Sequence, residues 1–501
     1  MSQRFRLLIT ISALLGIFLS ALEITIVATA APIIVRDLGG FESYAWIFTI
    51  YLLTATIGMP FWGRAADRWG RKPLFILAMV IFLIGCFLCG IAQSFTELIV
   101  FRGIQGLGGG GLLPLAFTII ADIFDIKARA KMQGAISSVW GVASILGPFI
   151  GGAVAESIGW RWIFFINIVP GIFALLFVVK YFKDIAVKDS ELRLSPLSLF
   201  SSIIFIVFLL VTVTTFKTDQ MPYISILGII AFLGFIVFIY AEKKTPYPLI
   251  PHKLLTHSIF IMTCITGFLG SAILIGIVSF FPLLCQTVYD YTPTESGLLL
   301  VPFTFAWLFS SIFSTRLLLT FHYKKLLLFG FVLLVVGLSV ILFYFYNLTT
   351  IIIILGLCLV GVGMAFNYPI VLITTQYDVP KNMIGLSTSA IFWIRNIGST
   401  LGTSLMGIVL IWQFNKNLLS INITSVLKPL VTQLKSNPDK LMDPSMLMQI
   451  KKFAETKFIL HDAMFWIFSL LLLWAFIILL LWFFFPKHIR AIITPTKNTQ
   501  T

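Results

Sequence analysis

Apolar residues run along this chain in blocks of about twenty, the length that carries a helix across the hydrocarbon core of a bilayer. Such blocks predict helices near 7–35, 44–62, 74–93, 96–121, 133–156 and 161–181, then 196–216 and 223–241. Six more follow near 258–288, 294–315, 325–346, 350–376, 387–412 and 462–485. The grouping is six, two and six, so fourteen spans with both termini on one side. It divides the chain into 1–182 (a six-helix bundle), 183–256 (two additional helices with flanking inner loops) and 257–501 (a second six-helix bundle).

Polar positions cluster between the blocks. The sizeable exception is 413–461, rich in Asn, Lys and Asp with weak helical periodicity at Val426, Leu430, Leu434 and Leu441. It reads as a solvated outer connector, with a small subdomain or a docking flap as alternatives, because no dense apolar face emerges.

Composition agrees with lipid as the solvent: 59% of the residues are hydrophobic and 11% charged, at a mean hydropathy of +1.02. A soluble domain cannot hide that much apolar surface, and a membrane β-barrel would show short alternating segments instead. Arg4 and Arg6 before a long apolar run imitate a signal peptide, but the run continues too far and lacks a convincing cleavage site, so an uncleaved first span is expected.

The net charge of +15 does not point to nucleic acid, because Lys and Arg flank the spans and crowd the loops of one side. The short loops of the other side hold only Arg36, Arg161 and Lys217. That asymmetry predicts a multi-pass protein of the cytoplasmic (inner) membrane with both termini cytoplasmic. The five cysteines (Cys86, Cys89, Cys264, Cys285, Cys358) all lie in apolar segments, which suits packing rather than a disulfide framework.

Charges inside the spans are the candidate chemistry. Glu23 is the acid that stands deep in a block, and an embedded carboxylate is costly unless it serves a function. Its depth, about 24 Å above the inner boundary at 1.5 Å per residue, is close to that of Arg102, about 21 Å above the same boundary of a core about 30 Å thick. A proton-sensitive Glu23–Arg102 pair, direct or through water, is therefore expected. Arg395, also within a block, suits bundle packing near the inner end. Five histidines at or near span ends, with no H-E-x-x-H, G-x-S-x-G or P-loop, argue against a metal centre, an enzyme and ATP as energy source.

Four motifs in the first half then carry a resemblance. They are Leu22-Glu23-Ile24-Thr25 through Pro32, Gly63-Arg64-Ala65-Ala66-Asp67-Arg68-Trp69-Gly70-Arg71, Arg102-Gly103-Ile104-Gln105-Gly106, and Gly141 with Gly147-Pro148-Phe149-Ile150-Gly151-Gly152, the last followed by Gly159-Trp160-Arg161-Trp162 through Asn167. In this order the chain resembles the fourteen-helix drug:proton antiporter branch of the major facilitator superfamily along nearly its whole length. The family usually has aspartate where Glu23 stands. In the second half, Tyr291-Thr292-Pro293 through Pro302 and Phe392 through Gly402 match less sharply.

The resemblance implies an all-α integral membrane protein with the major facilitator fold, two six-helix bundles plus two extra central helices, and alternating access. It implies Glu23 and Arg102 for proton coupling, and Gly63, Asp67, Arg68, Gly70 and Arg71 as a conformational latch in the loop between helices two and three. Gly141, Gly147, Pro148, Gly151 and Gly152 would form the antiporter helix, Trp160 and Trp162 an interfacial belt, and Thr25, Gln105 and Asn367 part of a substrate cavity. The implied activity is proton-coupled export of amphipathic small molecules, with a dedicated exporter of a siderophore, lipid or metabolite as the alternative. Its partners would be substrate, protons and membrane lipid, with no nucleic acid; it would need no cofactor beyond the proton gradient. A periplasmic adaptor is left open.

Overall fold

A computed structural model describes residues 3–124, 126–182, 195–214, 221–245, 248, 252–318, 320–343, 345, 349–380, 383–420 and 454–486. Among them every regular element is helical. The helices are α1 (Gln3–Leu38), α2 (Trp46–Trp69), α3 (Arg71–Ile91), α4 (Phe95–Ile123), α5 (Ile126–Ser157), α6 (Trp162–Phe165) and α7 (Ile168–Tyr181). They continue as α8 (Pro196–Thr214), α9 (Met221–Lys244), α10 (Ser258–Thr287), α11 (Pro293–Leu317), α12 (Tyr323–Phe343), α13 (Thr350–Asp378), α14 (Ile384–Ser420) and α15 (Ala454–Leu481). Among the described residues thirteen stretches are long and apolar enough to cross a membrane, α6 and α7 together making one; the apolar Leu197–Thr212 of α8 is shorter. The protein is a multi-pass membrane protein.

Local chemistry fixes the helix starts that matter for the site. Ser94 caps α4, its hydroxyl accepting from the Glu97 amide at 3.2 Å, while Glu97 accepts from the Gln93 amide at 2.8 Å. This places Arg102 two turns into the helix. Thr292 and Glu295 form a reciprocal capping box on α11, with Pro293 at its first position.

The chain forms two compact units. The first comprises Met1–Pro248, Leu274–Val301 and Ser399–Ile467. In it α3 and α2 pack on α4, α1 packs on α5, and α8 pairs with α9 while touching α2. The second comprises Leu249–Ile273, Pro302–Gly398 and Phe468–Thr501, where α12 and α13 pack along their length. Close packing there comes from small residues: a Cβ on Gly337 would meet the Gly356 carbonyl at 2.8 Å, and one on Gly363 the Gly330 carbonyl at 2.7 Å.

Three expectations change. The segment 413–461 is not connector throughout: α14 runs on to Ser420 and α15 begins at Ala454. Asn417 of α14 donates to Asp462 of α15 at 2.8 Å, which ties the two ends together; residues 421–453 lie outside the described residues. The motif expected as a loop between the second and third spans is helical up to Trp69, and only Gly70 separates α2 from α3. Its φ of +97° is a conformation that side-chain-bearing residues avoid, so one residue makes the turn. Trp160, expected at the lipid interface, is 1% exposed and its indole donates to Asp37 at 3.1 Å, whereas Trp162 does face outward. Pairing a buried indole N–H with an acid costs less than leaving it unpaired.

Candidate functional site

Five elements of the first unit converge on Glu23. The side chain is fully buried in α1. Its Oε1 forms an ion pair with Arg102 Nη1 from α4, and its Oε2 accepts from Asn167 Nδ2 at 3.0 Å. Arg102 is itself 1% exposed. Its Nε donates to the Ile47 carbonyl of α2 at 3.1 Å, its Nη1 also donates to Gln105 Oε1 at 2.7 Å, and its guanidinium lies over the Tyr51 ring at 4.6 Å. Gln105 reaches on to α3, donating to Cys86 Sγ at 3.1 Å and accepting from Cys89 Sγ at 3.8 Å. The spacing Arg102–Gln105 puts both side chains on one face of α4, and Gly85 lets the backbones of α3 and α4 close up at Gln105, since a Cβ there would overlap it.

Chemically this is a carboxylate held by a guanidinium and an amide in a dry interior. Such a pair is stable only while both charges persist; neutralising one strands the other.

Asn167 was missed as a site residue in the sequence, where it appears only as the end of the Trp160–Asn167 pattern. It occupies the break between α6 and α7, with its Nδ2 also donating to the Ile163 carbonyl at 3.2 Å and its Oδ1 unpartnered. The available signal was an amide inside an apolar run with Pro170 three residues on. Glu242 is a second buried acid among the described residues, 4% exposed in the last turn of α9 and bonded by the Ser198 hydroxyl. The predicted span stopped one residue short of it.

The glycine-proline stretch of α5 is a packing face. A Cβ on Gly147 would overlap Thr25 Oγ1, and one on Gly151 would overlap the Ile26 carbonyl and Thr29 Oγ1 of α1. On the other side, a Cβ on Gly152 would overlap the Pro293 carbonyl, and one on Gly297 the Pro148 carbonyl. The start of α11 is thus seated against α5. Glu156 of α5 reinforces the seam by accepting from Thr294 Oγ1 at 2.5 Å, and Gln286 of α10 donates to the Thr29 carbonyl and to Ser296 Oγ, both at 2.9 Å. Gly141 is buried farther along the same helix.

The remaining predicted residues are dispersed. Thr25 spends its hydroxyl on the Leu22 carbonyl at 3.0 Å within this helix seam, away from the Glu23 carboxylate's partners. Gln105 belongs to the ion-pair network. Asn367 is fully buried in α13 of the second unit. Gly63 lies in α2 with open space beside it. Arg71 Nη1 donates to the Ala66 carbonyl at 3.2 Å across the Gly70 turn. Asp67 and Arg68 sit in the last turns of α2, and their side chains lie outside the described residues.

A family profile described as Major Facilitator Superfamily matches residues 13–403. Multidrug resistance protein 3 of Bacillus subtilis (strain 168) is 32% identical over 404 residues, 80% of this chain and 79% of its own length. Multidrug transporter protein MdtP of the same organism is 32% identical over 81% of this chain and 76% of its own length. Multidrug efflux pump SdrM of Staphylococcus aureus (strain N315) is 29% identical over 81% and 90%. Among solved structures, a bacterial homologue of the human lysosomal transporter Spinster, inward-facing and occupied, superposes with a TM-score of 0.69 at 16% identity over 96% of this chain and 97% of that one. The xylose transporter XylE from E. coli, partially occluded and inward open, does so with a TM-score of 0.60 at 13% identity, over 96% and 100%.

Proposed function

We propose, since the chain belongs to the major facilitator superfamily and is a transporter rather than an enzyme, that it exports amphipathic small molecules in exchange for protons. The observation that carries this reading is the buried Glu23–Arg102 pair with its Asn167 and Gln105 partners. A proton reaching Glu23 releases Arg102 from its carboxylate, and Arg102 then rests on the Ile47 carbonyl and Gln105; loss of the proton restores the pair. Alternation of these two states drives the rocking of helix bundles that exposes a central cavity to each side in turn.

The cargo class follows the relatives, which bear the names of multidrug resistance and efflux proteins. The Lys- and Arg-rich loops support a reading in which both termini lie in the cytoplasm. Residues Gly63–Arg71 act as the latch of that side, and the α5 seam with α1 and α11 as its counterpart at the other end of the helices.

The test is transport by the full-length protein in proteoliposomes, with a permanently charged monocationic dye and an acidic lumen. Dye should accumulate inside while the lumen alkalinises, and both should vanish when an ionophore collapses the pH gradient. Accumulation insensitive to the ionophore, or equal in protein-free vesicles, would refute proton exchange.

A further inference from the structure

The second unit contains a buried cation with no acid to match it. Arg395 of α14 is 7% exposed, buried though less deeply than Arg102, yet no carboxylate among the described residues pairs with it. Its Nη2 donates to the Tyr368 carbonyl at 3.2 Å and its guanidinium stacks over the Tyr368 ring at 4.1 Å. Neither contact neutralises the charge, and its Nε has no partner. Arginine does not escape by losing its proton, so the charge persists.

Beside it stands Asn367, fully buried, with neither Nδ2 nor Oδ1 bonded. Both side chains approach the same bare strip of α10. A Cβ on Gly267 would lie 3.1 Å from Arg395 Nε, and one on Gly270, a turn away, 3.3 Å from Asn367 Nδ2. Points one turn apart on a helix face are about 5–6 Å apart, so the two unspent donors stand against the same turn of α10. Tyr368 lies against the same strip, its ring 3.2 Å from a Cβ on Gly270 and its hydroxyl bonded to Ser271 Oγ at 2.7 Å. Buried polar groups are ordinarily paired, and an ionised side chain inside a membrane bundle marks a ligand path.

We propose that Arg395 and Asn367 form a subsite for a compact anionic acceptor, foremost a carboxylate carried by the exported molecule. Arg395 supplies the charge and one N–H, and Asn367 a second N–H. The subsite rests on the export reading for its cargo but not for its chemistry. It favours amphiphiles bearing a carboxylate over the same scaffolds without one.

The decisive measurement is equilibrium binding by fluorescence polarisation to the detergent-solubilised full chain. The probes are a xanthene dye with a free benzoate and its methyl ester, in sodium HEPES buffer, whose bulky sulfonate carries no carboxylate. The benzoate form should bind at least about tenfold more tightly, the ratio that one charge-assisted contact supports. Arg395→Gln should bring the ratio to within about twofold of unity while leaving ester affinity unchanged, and Asn367→Ala should lower it about threefold. Asn367→Ala keeps the question answerable should the arginine variant fail to fold.

Replacing HEPES by chloride at constant ionic strength separates the two sources of the anion. Competition by chloride that Arg395→Gln abolishes supports the subsite and assigns its resting occupant to a free halide. Equal binding of the two dyes by the unmodified protein with no chloride effect, or parallel loss of both dyes in the variants, would overturn the proposal and leave only water or packing there. If neither dye binds, the export of such amphiphiles falls, and thermal stabilisation by chloride, present in the unmodified protein and absent in Arg395→Gln, still decides the anion site.

Discussion

Replacing Glu23 by glutamine removes one charge and leaves shape almost unchanged, so its two consequences are separable. The first is on coupling. One carboxylate carries one proton, so a cycle that exchanges a monocation for a proton is electroneutral, and a gradient of one pH unit, about 1.36 kcal/mol, concentrates the cargo at most about tenfold. The glutamine variant has no proton to exchange and should equilibrate the dye to a ratio of about one at every pH.

The second consequence is on stability. Arg102 would keep the Ile47 carbonyl at 3.1 Å and Gln105 at 2.7 Å but lose its counter-charge. Breaking a buried pair from one side costs about 3–5 kcal/mol; the carboxamide oxygen still accepts, which favours the lower end. The assay is dye accumulation in proteoliposomes at stepped pH gradients, alongside thermal unfolding of the detergent-purified protein. Glu23→Asp, which retains the charge, serves as control and should keep the pH dependence at reduced rate. A glutamine variant that still builds a tenfold ratio per pH unit would refute the role of Glu23.

Three further outcomes are expected. Gly151→Leu should abolish transport, because its side chain would collide with the Ile26 carbonyl and Thr29 of α1; retained transport by a correctly folded variant would deny that the seam closes in the cycle. Asp67→Asn should slow turnover several-fold without weakening dye binding if the proposed latch role holds; a fall in affinity at unchanged turnover would contradict that role. Monocations should be exported in preference to rigid dications of similar size, because a single deep acid leaves the second charge uncompensated. Equal proton-driven export of both would mean that another acid, Glu242 being the buried one already seen, takes part.

Much of the helical architecture is legible in the sequence because lipid imposes one rule, a long apolar run, that dominates local preference. The Glu23–Arg102 contact is legible for a related reason: two embedded charges at equal depth have few other partners. Asn167 is not, because Pro170 three residues on is too weak a signal to state that α6 breaks there or that its amide turns to α1. Trp160 misleads since an interfacial tryptophan and one buried against Asp37 have the same sequence context. The latch motif reads as a loop because glycines and charges usually do, and only Gly70 takes the backbone conformation that stops the helix. Thr25 looks like cavity polarity but serves the close approach of α5.

The ion pair also bears on how the chain is made. Glu23 and Arg102 are 79 residues apart, and at about 5–20 residues per second the ribosome needs about 4–16 s to pass from one to the other. For that interval α1 has left the ribosome while α4 has not been synthesised, so the first helix bears alone the insertion penalty of an unpaired acid. That penalty is at most about 2.5–3.5 kcal/mol, the cost at the helix centre, since Glu23 lies nearer the outer boundary. Nascent α1 would dwell beside the insertion machinery until α4 arrives with its guanidinium. The residue pair proposed to carry the coupling would then be assembled in step with biogenesis, and a variant lacking Arg102 should be recognised by quality-control proteases before it ever meets a substrate.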